Sequence, residues 1–211
     1  MIRREDYLVY LVTDDPSRYV GDFVESVEEA VAGGVTLVQY RDTESNRRDM
    51  YERALRLRDM LRVRKVPLII NDYADLAMAL EADGVHVGQS DMPPEAVRRI
   101  VGKNMTIGFS ITNMEEAKAM PRDGSVDYVG IGPVYDATKT KADAAPEMGV
   151  DGFSLIRSEL AELPAVAIGG VTIERAPSIL AAGADGLAIV SAFSKAASPR
   201  DAARKIASLR A

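Results

Sequence analysis

Two acidic residues stand where two apolar runs end. Leu68-Ile69-Ile70 stops at Asn71-Asp72, and Val85-His86-Val87-Gly88 stops at Gln89-Ser90-Asp91. Two carboxylates with an amide beside one of them suit a hard cation such as Mg²⁺. The same residues are good helix caps, and spacing alone leaves both readings open. Upstream, Gln39 and Arg41 share the strand parity of Leu37. If Leu37 faces a core, the amide and the guanidinium point to the same centre at the end of the run. A guanidinium there suits a phosphate or diphosphate. The alternative is an ion pair with Asp42 or Glu44. Gly108-Phe109-Ser110 offers a close approach and a hydroxyl, and Thr138-Lys139-Thr140-Lys141 sets hydroxyls and ammonium groups side by side. The second of these is an anion clamp or, read in isolation, a solvated basic loop. Gly169-Gly170 and Val190-Ser191 complete the set, because Gly-Gly lets a phosphate reach backbone N–H groups. Two anion sites emerge. Arg41, Lys141 and a cation at Asp72 and Asp91 form one, and Gly169-Gly170 with Val190-Ser191 form the other. Two anionic substrates, one a metal-bound diphosphate, would fit; nothing in the spacing names their carbon skeletons.

Positioning these groups at one edge requires strands that alternate with helices. Apolar runs read as strands at Tyr7–Thr13, Thr36–Arg41, Leu68–Ile70, Gly84–Gly88, Met105–Ile111, Tyr128–Val134, Ala165–Gly170 and Gly186–Ala192. Helical stretches separate them at Phe23–Ala32, Asn46–Arg64, Ala74–Leu80, Pro93–Val101, Asn113–Met120, Val150–Leu160 and Ile173–Ala182, with Arg200–Leu209 last. Continuous apolar strands are the mark of a parallel sheet buried on both faces. About eight such units in 211 residues, with no linker, predict a single-domain (β/α)₈ TIM barrel over residues 1–211. A doubly wound open sheet is the lesser alternative. In either, ligands bind at the carboxyl ends of the strands. The segment Tyr135–Gly149 is the longest without periodicity and is expected to close over that edge as a lid.

Composition sets bounds. A net charge of −6 argues against a nucleic-acid surface, but not against anionic substrates held by local Lys and Arg. With no Cys and one His, disulfides, thiol chemistry and a structural zinc site are not expected. No run is long enough to span a bilayer, and the N-terminus reads as a strand rather than a signal peptide. A cytoplasmic protein is expected; a homo-oligomer is left open. The histidine, His86, lies within an apolar strand and reads as a core residue. Met50, Met60, Met78 and Met92 read as core fillers, and the Arg-rich stretch from Arg53 to Arg64 as a solvated helix face.

Taken together, Gln39-Tyr40-Arg41, Ile70-Asn71-Asp72, Ala82-Asp83-Gly84-Val85-His86-Val87-Gly88-Gln89 with Asp91, Gly130-Ile131-Gly132-Pro133-Val134, Thr138-Lys139-Thr140-Lys141 and Ile168-Gly169-Gly170-Val171 resemble the thiamine-phosphate synthase (thiamine-phosphate pyrophosphorylase) family. The resemblance covers nearly the whole chain. It implies a (β/α)₈ barrel that joins a hydroxymethylpyrimidine diphosphate to a thiazole phosphate with Mg²⁺, releasing pyrophosphate. It implies that Asp72 and Asp91 hold Mg²⁺, and that Gln39, Arg41, Asn71 and Lys141 contact the pyrimidine diphosphate. Ser110 would lie beside the reacting diphosphate; Thr138, Thr140, Gly170, Val190 and Ser191 would surround the thiazole phosphate. No strong base is required. The chain departs from the family pattern at Thr43, where a lysine is common; either Arg47 or Arg48 is expected to compensate, or diphosphate binding is expected to be weaker. It also carries Asp136-Ala137 in place of a proline-threonine, and Ile111-Thr112-Asn113 where a histidine often follows the strand-five serine. That missing histidine weighs against a thiazole tautomerase. Other phosphate-binding barrels lack the Asn-Asp and Gly-Val-His-Val-Gly-Gln patterns, and an inactive binder of thiamine intermediates is the remaining alternative.

Overall fold

The computed structural model describes residues 2–137 and 145–210. Eight short strands form from the apolar runs: β1 Val9–Val12, β2 Leu37–Tyr40, β3 Leu68–Asn71, β4 Gly84–Val87, β5 Thr106–Ile111, β6 Tyr128–Ile131, β7 Ala165–Ile168 and β8 Gly186–Ile189. They pair in parallel and in chain order, and β8 returns to β1 with Val9 opposite Leu187. The sheet is a closed barrel, so the open-sheet alternative falls. Closure brings backbones close. A Cβ at Gly186 would stand 1.8 Å from the Tyr7 carbonyl oxygen, so only glycine allows the start of β8 to pass the chain entering β1.

Alternate strand residues face opposite sides. Tyr10, Val12, Leu37, Ile69, Tyr128, Val166 and Ala188 fill the barrel interior with Tyr7. Val9, Leu11, Val38, Leu68, Ile70 and their counterparts pack outward against the helices. The outer ring comprises α1 Phe23–Ala32, α2 Arg47–Arg64, α3 Ala74–Ala79, α4 Pro94–Val101, α5 Met114–Ala119, α6 Gly149–Glu159, α7 Ala176–Ala181, α8 Ser191–Ser194 and α9 Pro199–Ala207.

Helix starts follow local chemistry. Asp22 caps α1 by accepting from the Val24 and Glu25 N–H groups, and Asn46 caps α2 by accepting from Arg48 and Asp49. Such caps contribute about 1 kcal/mol each. In α2 the buried residues Met50, Ala54, Leu57 and Leu61 recur at helical spacing and face the barrel. Its arginines are mostly on the outer face, where Arg56, Arg62 and Arg64 pair with Asp22, Glu81 and Glu28. Exposed pairs of this kind are worth less than about 1 kcal/mol each, so the apolar stripe holds the helix. Two arginines are half-buried instead: Arg53 reaches the buried carboxylate of Asp42 at 2.7 Å, and Arg58 donates to the Leu80 carbonyl at 3.2 Å.

Some sequence expectations need correction. The last strand ends at Ile189, and Ser191 opens the short helix α8 rather than extending β8. The first strand starts later than expected, because Arg4–Tyr7 forms a 3₁₀ turn. The seventh helix starts at Ala176, with Pro177 in its first turn. Met50 is buried and Met60 packs against the core, but Met78 and Met92 are exposed and fill no gap. Thr138, Thr140 and Lys141, and with them the central part of the expected lid, lie outside the described residues.

Leu57→Ala should lower the unfolding free energy by about 2–5 kcal/mol, because it opens a cavity under α2. Val63→Ala on the exposed side of the same helix should change it by less than about 0.5 kcal/mol. Urea denaturation with an unchanged m-value checks both.

Candidate active site

The carboxyl ends of the strands surround a cavity of about 680 Å³. Gln39 and Arg41 reach it from β2 and the turn beyond, and Asn71 and Asp72 from the end of β3. Asp91 enters from the loop after β4, and Ser110 from β5. Gly169-Gly170 and Val190-Ser191 form the opposite wall. Every described residue of the two expected anion sites therefore lines one space, whether or not it caps a helix.

Each acid sits on its own backbone turn. Asp72 adopts a left-handed conformation with φ 63°, and its N–H extends the β3–β4 ladder to the His86 carbonyl at 2.8 Å. Aspartate tolerates this region better than most residues, yet such a backbone is characteristic of ligand edges. Asp91 accepts the Gly88 N–H on Oδ2 at 2.7 Å; its Oδ1 takes no part in that turn. Gln89, between them, donates to the Ser110 carbonyl at 2.7 Å and ties the β4 and β5 loops together.

Arg41 does not form the ion pair with Asp42 or Glu44 that was its alternative reading. Asp42 is occupied by the Tyr40 hydroxyl and Arg53, and Glu44 by Ser17. The Arg41 backbone is clamped instead by Thr13, which accepts its N–H and donates to its carbonyl, both at 2.8 Å. Its guanidinium lies 3.9 Å from Asp15, a long contact that leaves it facing the cavity. Asp15 is buried and also accepts the Thr43 N–H and hydroxyl at 2.6 and 2.9 Å. The expected compensation for Thr43 is not found. Arg47 pairs with Asp75 and stacks on the Tyr73 ring at 4.1 Å, and neither Arg47 nor Arg48 lines the cavity.

On the far wall, Gly169 and Gly170 have φ values of 92° and 59°. A Cβ at Gly170 would stand 2.6 Å from the Tyr135 Cβ, so the loops after β6 and β7 pack without side chains between them. Arg175 fastens the two loops, stacking on Tyr135 at 4.1 Å and donating to the Gly170 carbonyl at 2.8 Å.

Sequence reasoning placed His86 in the core but missed where its ring ends. Its Nε2 is 2.9 Å from Ser110 Oγ and its Nδ1 is 2.8 Å from the Tyr128 hydroxyl. Burial pushes the imidazole down from 6.5 to about 4, against the opposing pull of Asp91. The ring is therefore neutral at pH 7. Asp15, Tyr10 and Tyr128 were also missed. Strand parity was the available signal, since Tyr10, His86 and Tyr128 occupy inward positions.

Residues 9–193 match the family described as thiamine monophosphate synthase. The chain belongs to the thiamine monophosphate synthase family. A thiamine-phosphate synthase of Azorhizobium caulinodans is 48% identical over 201 residues, covering 95% of this chain and 93% of that protein. One of Chloroflexus aurantiacus is 46% identical and covers 97% and 93%. A solved thiamine phosphate pyrophosphorylase from Pyrococcus furiosus superposes with a TM-score of 0.86 at 34% identity, covering 98% of this chain and 96% of that one. Thiamine monophosphate synthase family membership thus extends to the three-dimensional arrangement of the barrel.

The neutral His86 makes a signed prediction. The unfolded chain takes up a proton near pH 6.5 that the folded barrel refuses until about pH 4. The resulting stability is fully present above pH 6.5 and is lost as pH falls toward 4, by about 3 kcal/mol in all. The stability difference between wild type and His86→Gln should shrink by that amount from pH 7 to pH 4, measured by urea denaturation. A difference independent of pH would contradict a buried neutral ring.

Proposed function

We propose that the protein is a transferase that joins 4-amino-2-methyl-5-hydroxymethylpyrimidine diphosphate to 4-methyl-5-(2-phosphooxyethyl)thiazole, giving thiamine phosphate and pyrophosphate. The observation that carries this reading is the convergence of Arg41, Asp72, Asp91 and Ser110 with Gly169-Gly170 on one cavity, in a chain of this family. One wall offers charge for a diphosphate and the other a backbone cradle for a phosphate.

The donor set suits Mg²⁺. Asp72 and Asp91 provide only oxygen, and among the described residues no third carboxylate, histidine or cysteine joins them in a metal-binding cluster. A magnesium ion commonly takes one or two carboxylates and completes its shell with water and phosphate oxygens. Asp72 and Asp91 would hold it, and when bound it would neutralise charge on the diphosphate.

The chemistry then follows from positioning and charge. The bond between the pyrimidine methylene carbon and the diphosphate oxygen breaks, and its electron pair leaves with the diphosphate. The resulting cation is stabilised by the amino-substituted ring. The lone pair of the thiazole nitrogen captures the carbon, forming the new C–N bond. Arg41 and Lys141 stabilise the leaving diphosphate, and Ser110 donates a hydrogen bond to it. Gln39 and Asn71 orient the pyrimidine. Thr138, Thr140, Gly169, Gly170, Val190 and Ser191 hold the thiazole phosphate so that its nitrogen faces the reacting carbon. No step needs a general base, in keeping with a neutral His86. Thr43 brings no charge to the diphosphate wall, so Arg41 and Lys141 act there without the lysine common in the family. No helix among the described residues is long and apolar enough to cross a membrane, and we place the enzyme in the cytoplasm, acting on these small molecules.

The purified protein, mixed with both substrates and Mg²⁺, should form thiamine phosphate, followed by its fluorescent oxidation product. Asp72→Ala or Asp91→Asn should lower kcat/KM by about 100-fold or more, and a chelator should abolish turnover. Folded protein that forms no product under these conditions would overturn the assignment.

A further inference from the structure

Polar side chains cross the barrel from β2 to β5. Gln39 Nε2 donates to the Tyr10 hydroxyl at 2.7 Å, and that hydroxyl lies 2.8 Å from the hydroxyl of Tyr128. Tyr128 lies 2.8 Å from His86 Nδ1, and His86 Nε2 lies 2.9 Å from Ser110 Oγ. Gln39, Tyr10, Tyr128 and His86 are all buried, while Ser110 is only partly covered and lines the cavity. Two glycines make the space. A Cβ at Gly108 would stand 2.2 Å from Tyr128 Cζ and 2.3 Å from His86 Nδ1, in the path of their hydrogen bond. A Cβ at Gly130 would press on His86 Cε1 at 3.2 Å. Glycine inside a strand weakens it and often marks close approach of other groups. Here β5 and β6 both carry one where the hydrogen-bonded chain passes.

The sense of the chain follows from proton counting. A hydroxyl has a single proton to donate, and a neutral imidazole has a single N–H. Tyr10 accepts from Gln39, and either tyrosine hydroxyl could donate to the other; the sense that gives the Tyr10 proton an acceptor within this chain is donation to Tyr128. The Tyr128 proton is then directed to His86 Nδ1, which leaves the imidazole proton on Nε2, directed to Ser110 Oγ. Ser110 accepts from inside the barrel, and its own proton is left for the cavity. We propose that Tyr10, Tyr128 and His86 are positioning residues that fix Ser110 as a hydrogen-bond donor toward the leaving diphosphate. The reverse sense would turn the Ser110 proton toward the ring and present only lone pairs to an anion. Both ring nitrogens of His86 meet hydroxyl oxygens, a pair of contacts that a neutral imidazole satisfies with one nitrogen donating and the other accepting.

His86 is the only histidine in the chain, so a nitrogen-15 spectrum of labelled protein reads one imidazole. At pH 7 the wild type should show a protonated Nε2 and a bare Nδ1. Tyr128→Phe should shift part of the population to the Nδ1–H tautomer and lower kcat by about tenfold or more, the worth of one hydrogen bond to a charged group. Ser110→Ala should lower kcat while leaving the Nε2–H tautomer in place, because Tyr128 still donates. A purely structural role would lower stability in Tyr128→Phe without moving the tautomer. A wild-type ring protonated at Nδ1 overturns the proposal, and so does a folded Tyr128→Phe variant that keeps both tautomer and kcat. The kinetic part rests on the coupling reaction proposed above and the tautomer part does not. Absence of turnover in the wild type with an Nε2–H ring would therefore count against the reaction and not against the hydrogen-bond direction.

Discussion

The pairing of β1 with β8, from Val9 opposite Leu187 to Leu11 opposite Ile189, turns a row of parallel strands into a ring. A ring has no edge, so its strands carry no row of unpaired N–H and C=O groups. It also leaves alternate side chains nowhere to point but the interior. Low on the strands those residues are apolar and fill the space, as Leu37, Ile69 and Val166 do, with Tyr7 entering from the turn before β1. At the upper ends the same parity delivers Gln39, Asn71, His86 and Ser110 to one cavity. Gly186, passing against the Tyr7 carbonyl, is where this closure is tightest.

A chain with a net charge of −6 that is to bind the two anions proposed here must create its positive potential locally. Arg41 does so by geometry. Thr13 fixes its backbone, and Asp15 approaches its guanidinium without a close ion pair. Across the cavity, Gly169-Gly170 lines the wall with no side chain in the way, and in the proposed reaction backbone N–H groups there would meet a phosphate without a counter-charge. Within the barrel, the polar groups from Gln39 to Ser110 are hydrogen-bonded to one another, which offsets the cost of burying them. A neutral imidazole suits that place, because a charged one would have no carboxylate in contact among the described residues and, in the proposed reaction, would repel the pyrimidine cation.

The architecture was largely legible because parallel strands covered on both faces leave unbroken apolar runs, and each run ended on a residue with chemistry to offer. Asp72 and Asp91 could be picked out for that reason alone. What was not legible depended on contacts between strands distant in sequence. Nothing local to Tyr10, His86 or Tyr128 shows that β1, β4 and β6 bring them together, and the glycines that admit His86 lie on β5 and β6. Ser191 was misplaced because the apolar character of Gly186–Ala192 continues through a turn that the backbone makes at Val190. Met78 and Met92 were misplaced because residue type says little about exposure when the helix is as short as α3 or the residue lies in a loop. Asp15 was overlooked because an acid beside a proline reads as a turn, whereas here it is buried and organises Arg41 and Thr43.

The most direct measurement is a crystal structure with Mg²⁺, pyrophosphate and the thiazole phosphate. The expected result is a diphosphate between Arg41 and the Asp72–Asp91 pair, bridged to both carboxylates by one metal ion and within hydrogen-bond distance of Ser110 Oγ. The thiazole phosphate should lie against Gly169-Gly170 and Ser191. A diphosphate bound away from the two carboxylates, or bound there with no metal and with Ser110 turned from it, would contradict the division of the cavity into a metal-assisted diphosphate wall and a backbone phosphate wall.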